Sequence, residues 1–422
     1  MVPAHLAGRL KDKGEQDVVS KRRYYWYLGG ACFMAYTACY AGRGILSAML
    51  PQILQQTKFT KEGLGLVGSA FFFSYGFGQL VNGLLGDFIS PKYMVATGLF
   101  LAGSLISLFP AVQTTALQAV LWGMCGLCCS MLWGPLSKLI AENTEEKVGR
   151  LLMTLLTVAS LLGTMATFLL AAIISTGYNW SLAFHLTGAF LILTALGWYV
   201  FLAFLEERDL IKTEERKVNQ AGFFASSPGF LLMTAVSLLN GVLRNAVVFW
   251  LPTYLVETFR ISTTKAAAVS TVLPFVNLSG TFSALALLRK VGDKEERVLT
   301  VFFGAAACLF WLTFSLGGSY LLATLAAIFL ASAAMTGACN MIFSVYCLRF
   351  ASTGRVSAIA GFMDFTGYAA AAAANLFFTG LVASRGWNAT VASCALLAAA
   401  GALVAFAAEK NRQPSKCFQS TP

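Results

Sequence analysis

The sequence predicts an all-α polytopic membrane protein whose twelve transmembrane helices form two pseudo-symmetric halves of six. Three observations predict it. The chain is 57% hydrophobic and 12% charged, with a mean hydropathy of +0.70, against about 25% charge in a soluble domain. Twelve apolar stretches each approach the roughly 20 helical residues that a bilayer requires. Patterns in the first half then recur about 200 residues later, as expected of parallel repeats around a midplane site.

Taken in order, residues 1–24 form a cytoplasmic N-terminal tail with Arg9, Lys11, Lys13, Lys21, Arg22 and Arg23. The span behind it is too long for a cleaved signal peptide, so the tail reads as a disordered anchor against anionic lipid. Span 25–54 holds Arg43, with Pro51 eight residues on. Span 62–89 closes on Gly83-Leu-Leu-Gly86-Asp87, and span 93–111 follows. Span 115–140 contains Trp133-Gly134-Pro135, with Lys138 at its inner end. Gly149-Arg150 opens span 149–176, and Asn179-Trp180 precedes span 181–204, which completes the first half at 25–204. The polar run that begins Glu206-Glu-Arg-Asp makes 205–228 a cytoplasmic linker. The second half, 229–408, starts with span 229–257, where Arg244 again precedes a proline, Pro252, by eight residues. Spans 263–288, 298–315 and 319–348 continue it. Gly354-Arg355 opens span 354–383, Trp387-Asn388 precedes span 388–408, and 409–422 is a second cytoplasmic tail. The offsets between matched pairs are 201, 205 and 207 residues, always in the same order.

Charge sets the orientation. Both termini and the even-numbered connections carry 23 of the 30 Lys and Arg residues, which puts both termini in the cytoplasm. The net charge of +11 is then a topological signal spread over separate loops, not a nucleic-acid patch. Nine of the ten cysteines fall in spans, and Cys125-x-x-Cys128-Cys129 lacks a second ligand pair, so they read as small apolar residues, with no metal implied. No nucleotide loop, zinc triad or catalytic triad is present, and neither an enzyme nor a cofactor is expected.

The candidate site starts from Arg43 and Arg244. A guanidinium near the bilayer midplane costs at least about 2.5–3.5 kcal/mol, so it normally faces a watery cavity and a partner. Its planar fork suits carboxylate or phosphate. One such residue in each half suggests an anion site. Tyr36, Tyr40, Tyr75, Tyr368 and Asn240 are candidate hydrogen-bond donors to that anion, although each is equally readable as a packing residue. Asp364 is a third intramembrane charge, readable as a partner for an arginine, a contact for a cationic group, a proton carrier or a structural helix-end partner. Asp87 with Lys92, Lys138 and Asp293 are candidates for a cytoplasmic gate, and solvated turns are the bland alternative.

These blocks resemble the major facilitator superfamily and, within it, the organophosphate:phosphate antiporter family. The similar residues are Tyr36 to Arg43 with Ala48-Met-Leu-Pro51, then Tyr75-Gly76-Phe77, Gly83 to Asp87, Trp133-Gly134-Pro135 with Lys138, Phe249 to Tyr254 after Arg244, and Gly361-Phe362 with Gly367-Tyr368. The resemblance implies the major facilitator fold and an inner-membrane exchanger without cofactor, its expected partners being a small organic phosphate, inorganic phosphate and the lipid bilayer. It implies alternating access as a monomer, with Arg43 and Arg244 gripping the phosphoryl group.

Three departures leave the site less positive than in the glycerol-phosphate branch of that family. Gly44, Gln79 and Ser160 stand where that branch has basic residues or histidine, and Ser160 enters the candidate binding set on that basis. A proton-coupled organic-anion (carboxylate) transporter using Asp364 is therefore an alternative. A sugar-phosphate membrane sensor is another, of a different class.

Overall fold

The computed structural model describes residues 4–174, 178–208, 210–211, 227–261, 263–270 and 272–411. Most of the expected linker and of the 409–422 tail lies outside them. Among the described residues the regular structure is helical throughout. Helices α1 (Ala4–Gln56), α2 (Lys61–Phe88), α3 (Pro91–Leu108), α4 (Thr115–Cys129), α5 (Trp133–Asn143), α6 (Glu146–Ile174) and α7 (Trp180–Glu207) precede the linker. After it come α8 (Pro228–Phe259), α9 (Thr263–Ser270), α10 (Leu273–Lys290), α11 (Glu295–Leu316), α12 (Leu321–Asn340) and α13 (Val356–Lys410).

Ten stretches of the described residues are long and apolar enough to cross a membrane. The first expected span, in α1, and the eighth, in α9 and α10, are not among them. Arg43 and the tyrosines lower the hydropathy of α1. Asn277, Ser279, Thr281 and Ser283, with Arg289 and Lys290 at the end, do the same in α10.

Local chemistry explains where the helices begin and break. Ser90, Asn179 and Ser227 each turn a side-chain oxygen onto a backbone N–H of the first turn, at Lys92, Ser181 and Phe230 respectively. Pro91 and Pro228 occupy the first helical position, where a missing N–H costs nothing. The expected single span 115–140 is two helices, α4 and α5. Pro135 cannot donate to the carbonyl of Met131, and the ladder fails there. The expected spans 354–383 and 388–408 lie on either side of a non-helical break in α13 at Gly386, whose φ of 74° suits a residue without Cβ. The helix α1 starts at Ala4, so it extends back through the segment expected to be a disordered anchor.

Two compact units share the chain. Unit 1 comprises Met1–Phe72 and Ile89–Glu215; unit 2 comprises Phe73–Phe88 and Arg216–Pro422. In unit 1, α1 packs on α6 and α7, and α3 on α7 and α4. In unit 2, α13 packs on α8 and α11, and α12 on α10 and α11. Each unit contains one backbone-close helix crossing just before its intramembrane arginine. A Cβ at Gly163 on α6 would lie 2.3 Å from the Thr37 carbonyl oxygen on α1. A Cβ at Gly241 on α8 would lie 2.5 Å from the Gly367 carbonyl oxygen on α13. Small residues at such crossings let membrane helices approach and gain dispersion energy that lipid cannot supply.

Polar ties at the helix ends also repeat. Lys92 at the start of α3 pairs with Glu206 at the end of α7. In unit 2, Arg297 and Lys294 at the start of α11 reach Glu409 at the end of α13, at 2.5 and 3.6 Å. At the opposite ends, Gln56 Oε1 accepts from Trp180 N at 3.5 Å, while Glu257 Oε2 accepts from Trp387 Nε1 at 2.7 Å. The repeat seen in sequence is thus a repeat of contacts.

The crossing at Gly241 gives a stability test. Gly241→Leu forces backbone against side chain and is expected to cost about 1–3 kcal/mol. Thermal unfolding in detergent should show a clear fall in Tm for Gly241→Leu. Gly65→Ala, where a Cβ meets nothing within 4 Å, should show none.

Candidate functional site

In unit 1 the site is built on α1. Helical spacing stacks Tyr36, Tyr40 and Arg43 along one side of it. The Tyr36 and Tyr40 ring centroids are 5.0 Å apart, and the Arg43 guanidinium lies 4.5 Å from the Tyr40 centroid. Phe71 on α2 presents a second ring at 5.9 Å. These aromatic faces favour the ionised guanidinium in a place where water is scarce. Trp133, at the break between α4 and α5, packs against Tyr36 at 5.4 Å. Its indole Nε1 and the Thr37 hydroxyl are buried polar atoms with no hydrogen-bond partner among the described residues.

The positions flanking Arg43 explain two departures. Gly44 faces Thr167 on α6, 3.5 Å from where a Cβ would stand, and Thr167 donates to the carbonyls of Ala41 and Gly163. A long basic side chain at 44 would have to displace that crossing. Ser160 donates its hydroxyl to Thr157 O at 2.7 Å, within α6 itself. That proton is committed to the helix backbone, which leaves Ser160 an acceptor toward other groups.

In unit 2, Arg244 and Asn240 lie on consecutive turns of α8. Asn240 is fully buried and donates from Nδ2 to Met335 O on α12 at 2.8 Å. Cys339, one turn further along α12, lies within electrostatic reach of both Arg244 and Asp364. The structure therefore gathers Arg244, Asn240 and Asp364 into one neighbourhood of α8, α12 and α13. Ser237 fastens α8 to α13 beside it, through Met363 O at 3.2 Å and Thr366 Oγ1 at 2.8 Å. Immediately after Asn340, α12 widens into a π-helical segment at Met341–Tyr346, a distortion often associated with functional sites. Tyr75 and Tyr368 make an edge-to-face pair with centroids 5.2 Å apart, and Gln79 Nε2 donates to the Tyr75 hydroxyl at 2.5 Å. Gln79 is fully buried, so the second departure from a basic residue is filled by an amide that holds Tyr75.

Two of the gate candidates have described partners. Asp87 is buried, and its Oδ1 accepts from the backbone N–H groups of Ser357 and Ala358, at 3.0 and 3.2 Å. It thereby caps the N-terminus of α13 from another helix, where the helix dipole favours a negative charge. Lys92 instead pairs with Glu206 and lies over the Tyr93 ring at 4.7 Å. Lys138 is buried on α5. Asp293 sits in the turn between α10 and α11 with a φ of 56°.

A charged cluster that the sequence reading missed lies in the same unit. Arg349 Nη1 reaches Glu295 at 2.6 Å and Glu296 at 2.8 Å, and both glutamates are only 2% exposed. Burial works against the charge on Arg349, but the two carboxylates more than offset it and hold its pKa above the usual arginine value. Glu295 and Glu296 follow Lys294 in a short polar run, and nothing local separates them from solvated loop residues.

The sequence profile described as Major Facilitator Superfamily matches residues 32–375. A probable hexose phosphate transport protein of Chlamydia pneumoniae is 30% identical over 135 residues, which is 32% of this chain and 30% of that protein. The glycerol-3-phosphate transporter of Bacillus subtilis is 28% identical over 144 residues, 33% of this chain and 32% of that protein. The aligned stretches thus span about a third of those relatives. The solved Major Facilitator Superfamily transporter FucP, in the outward conformation, superposes with a TM-score of 0.72 at 17% identity. That superposition covers 93% of this chain and 100% of FucP, and it establishes likeness of fold.

Three substitutions should rank the polar contacts of unit 2. Arg349→Ala strands two buried carboxylates and is expected to cost up to about 3–5 kcal/mol. Asp87→Ala removes a helix cap worth about 1–2 kcal/mol, most of which Asp87→Asn should retain. Chemical or thermal unfolding in detergent checks the order: Arg349→Ala lowest, Asp87→Ala next, Asp87→Asn closest to wild type.

Proposed function

The chain belongs to the Major Facilitator Superfamily, and from that premise we propose that it exchanges an organic phosphate ester for inorganic phosphate by alternating access, with Arg43 and Arg244 gripping the anion. The protein is an integral membrane transporter of this superfamily; the exchanged anions, the exchange itself and the grip are the proposal. One observation carries it. Arg43 and Arg244 stand 201 residues apart, each shortly beyond a backbone-close helix crossing (six residues after Thr37 and three after Gly241), and each one turn from a hydrogen-bonding side chain, Tyr40 or Asn240. A duplicated fold that keeps one costly guanidinium in each half has a use for the pair.

The chemistry follows from the fork geometry. A phosphoryl dianion accepts charge-assisted hydrogen bonds from two guanidiniums, with bonds roughly twice as strong as neutral ones. Closure of the halves around the anion gives it a higher affinity for the occluded state, and such differential affinity is what shifts the equilibrium. Without an anion, two like charges oppose closure, which favours exchange over leak. The printed names of the Chlamydia and Bacillus relatives, a hexose phosphate and a glycerol-3-phosphate transporter, support an organophosphate substrate. The distribution of Lys and Arg supports both termini being cytoplasmic, and the protein is proposed to work as a monomer in a bacterial inner membrane.

A second reading has its own observation. Arg244 and Asp364 both act on Cys339, so a carboxylate shares the neighbourhood of the second arginine. If Asp364 carries a proton, the protein is a proton-coupled organic-anion transporter, and Asp364 charges and discharges in each cycle.

Labelled phosphate exchange in proteoliposomes separates these outcomes. Wild-type protein should take up labelled phosphate only against internal phosphate or a phosphate ester. Arg43→Ala and Arg244→Ala should each reduce exchange about thirtyfold or more, the loss expected for one partner of a buried charged contact. Phosphate exchange unchanged in both variants would sink the grip. Uptake that needs no internal phosphate, follows a pH gradient and collapses in Asp364→Asn would select the second reading instead.

A further inference from the structure

Two thiols with no part in the proposed exchange face each other beside Arg43. Cys39 lies on α1 one turn before Arg43, and Cys129 is the last residue of α4. Cys39 Sγ is 3.7 Å from the Cys129 carbonyl oxygen, and the two thiols are in hydrogen-bond contact with each other. Both are free cysteines, only 1% and 2% exposed, so a reagent must be small and uncharged to arrive through the apolar phase. Cys125 also contacts the Cys129 thiol, from one turn earlier on the same helix. Residues at that spacing hold their Cβ atoms about 5–6 Å apart. A disulfide spans only about 3.5–4.5 Å between Cβ atoms. Cys39 approaches from another helix, free of that restriction, and is the partner that Cys129 can bond.

The thiolate is the attacking form of a cysteine, so apolar burial slows its oxidation. Arg43 lies within electrostatic reach of both sulfurs and speeds it. We propose that Cys39 and Cys129 form a redox switch, in which a peroxide oxidises them to a disulfide that ties α1 to the break between α4 and α5. One thiolate attacks the peroxide O–O bond and becomes a sulfenic acid, and the departing hydroxide takes up the thiol proton as water. The second thiol then displaces the sulfenic hydroxyl, which leaves with its proton as a second water. Two thiols lose two electrons, and hydrogen peroxide gains them. The new bond holds Cys129, the residue just before the break, against the helix that carries Tyr36, Tyr40 and Arg43. The bond itself is independent of the transported anion; its effect on exchange rests on the proposed function.

Peptide mass mapping tests the bond on the purified full chain in nanodiscs, treated with hydrogen peroxide and then blocked with N-ethylmaleimide. Wild-type protein should yield a Cys39–Cys129 linkage that dithiothreitol removes. Cys39→Ala and Cys129→Ala should each lose it, and Cys125→Ala should keep it. Arg43→Ala should form it about threefold more slowly, because the lost thiolate is offset in part by higher nucleophilicity. Labelled phosphate exchange should fall to about a tenth in oxidised wild type, recover with dithiothreitol, and ignore peroxide in Cys39→Ala. Wild-type protein that forms no such linkage overturns the proposal, as does a linkage from Cys129 to another cysteine. Both outcomes are read by mapping alone, so they stand if a variant fails to fold or if reduced wild type exchanges no phosphate. Exchange that survives complete oxidation overturns the switch, and an unchanged oxidation rate in Arg43→Ala overturns the part given to Arg43.

Discussion

An ionised side chain inside the apolar thickness of a bilayer must be given something to face, because hydrocarbon solvates it poorly. The arrangement of this protein is largely a set of answers to that requirement. Arg43 meets the faces of Tyr40 and Phe71. Asp87 takes two backbone N–H groups from the start of α13. Arg349 lies against Glu295 and Glu296. Each answer includes at least one partner from another helix, so each charge also fixes how helices meet. The energetic cost of the charge becomes a source of geometric definition, since a misplaced helix would leave the group unpartnered.

The same device is used twice, once in each unit. Lys92 with Glu206, and Arg297 and Lys294 with Glu409, close equivalent helix pairs at one end. Gln56 with Trp180, and Glu257 with Trp387, do so at the other. Between these ties the crossings at Gly163 and Gly241 bring backbones together shortly before Arg43 and Arg244. Individually the exposed ion pairs are worth little. Their value lies in registering helices that lipid would otherwise let slide, and so in holding each arginine at a defined depth.

Hydropathy made most of the spans legible, because a membrane helix must be apolar along its whole length and the backbone must bond to itself. The pairs Arg43…Pro51 and Arg244…Pro252 made the duplication legible. Other features were hidden. The break at Ser130 to Leu132 comes from Pro135, but a proline inside an apolar run can kink a helix or be absorbed. Glu206 read as part of the 205–228 linker, although it is the partner of Lys92 across 114 residues. Glu295 and Glu296 read as loop charges, because only packing shows that they are buried. Ser160 entered the site by its place in a pattern, and its hydroxyl turns out to serve its own helix.

By itself, then, the sequence determined the solvent, the helical class, the repeat and the two intramembrane arginines that most need a partner, because those follow from hydropathy, periodicity and the charge of guanidinium. Only the tertiary structure decided which side chains share a neighbourhood. It set Arg244 and Asp364 both within electrostatic reach of Cys339, gave Asp87 to the start of α13, and turned Gln79 onto Tyr75. The physical reason is distance along the chain. Hydrogen bonds, ion pairs and close crossings act over a few ångströms, and which distant residues come within that range is fixed by how the helices pack.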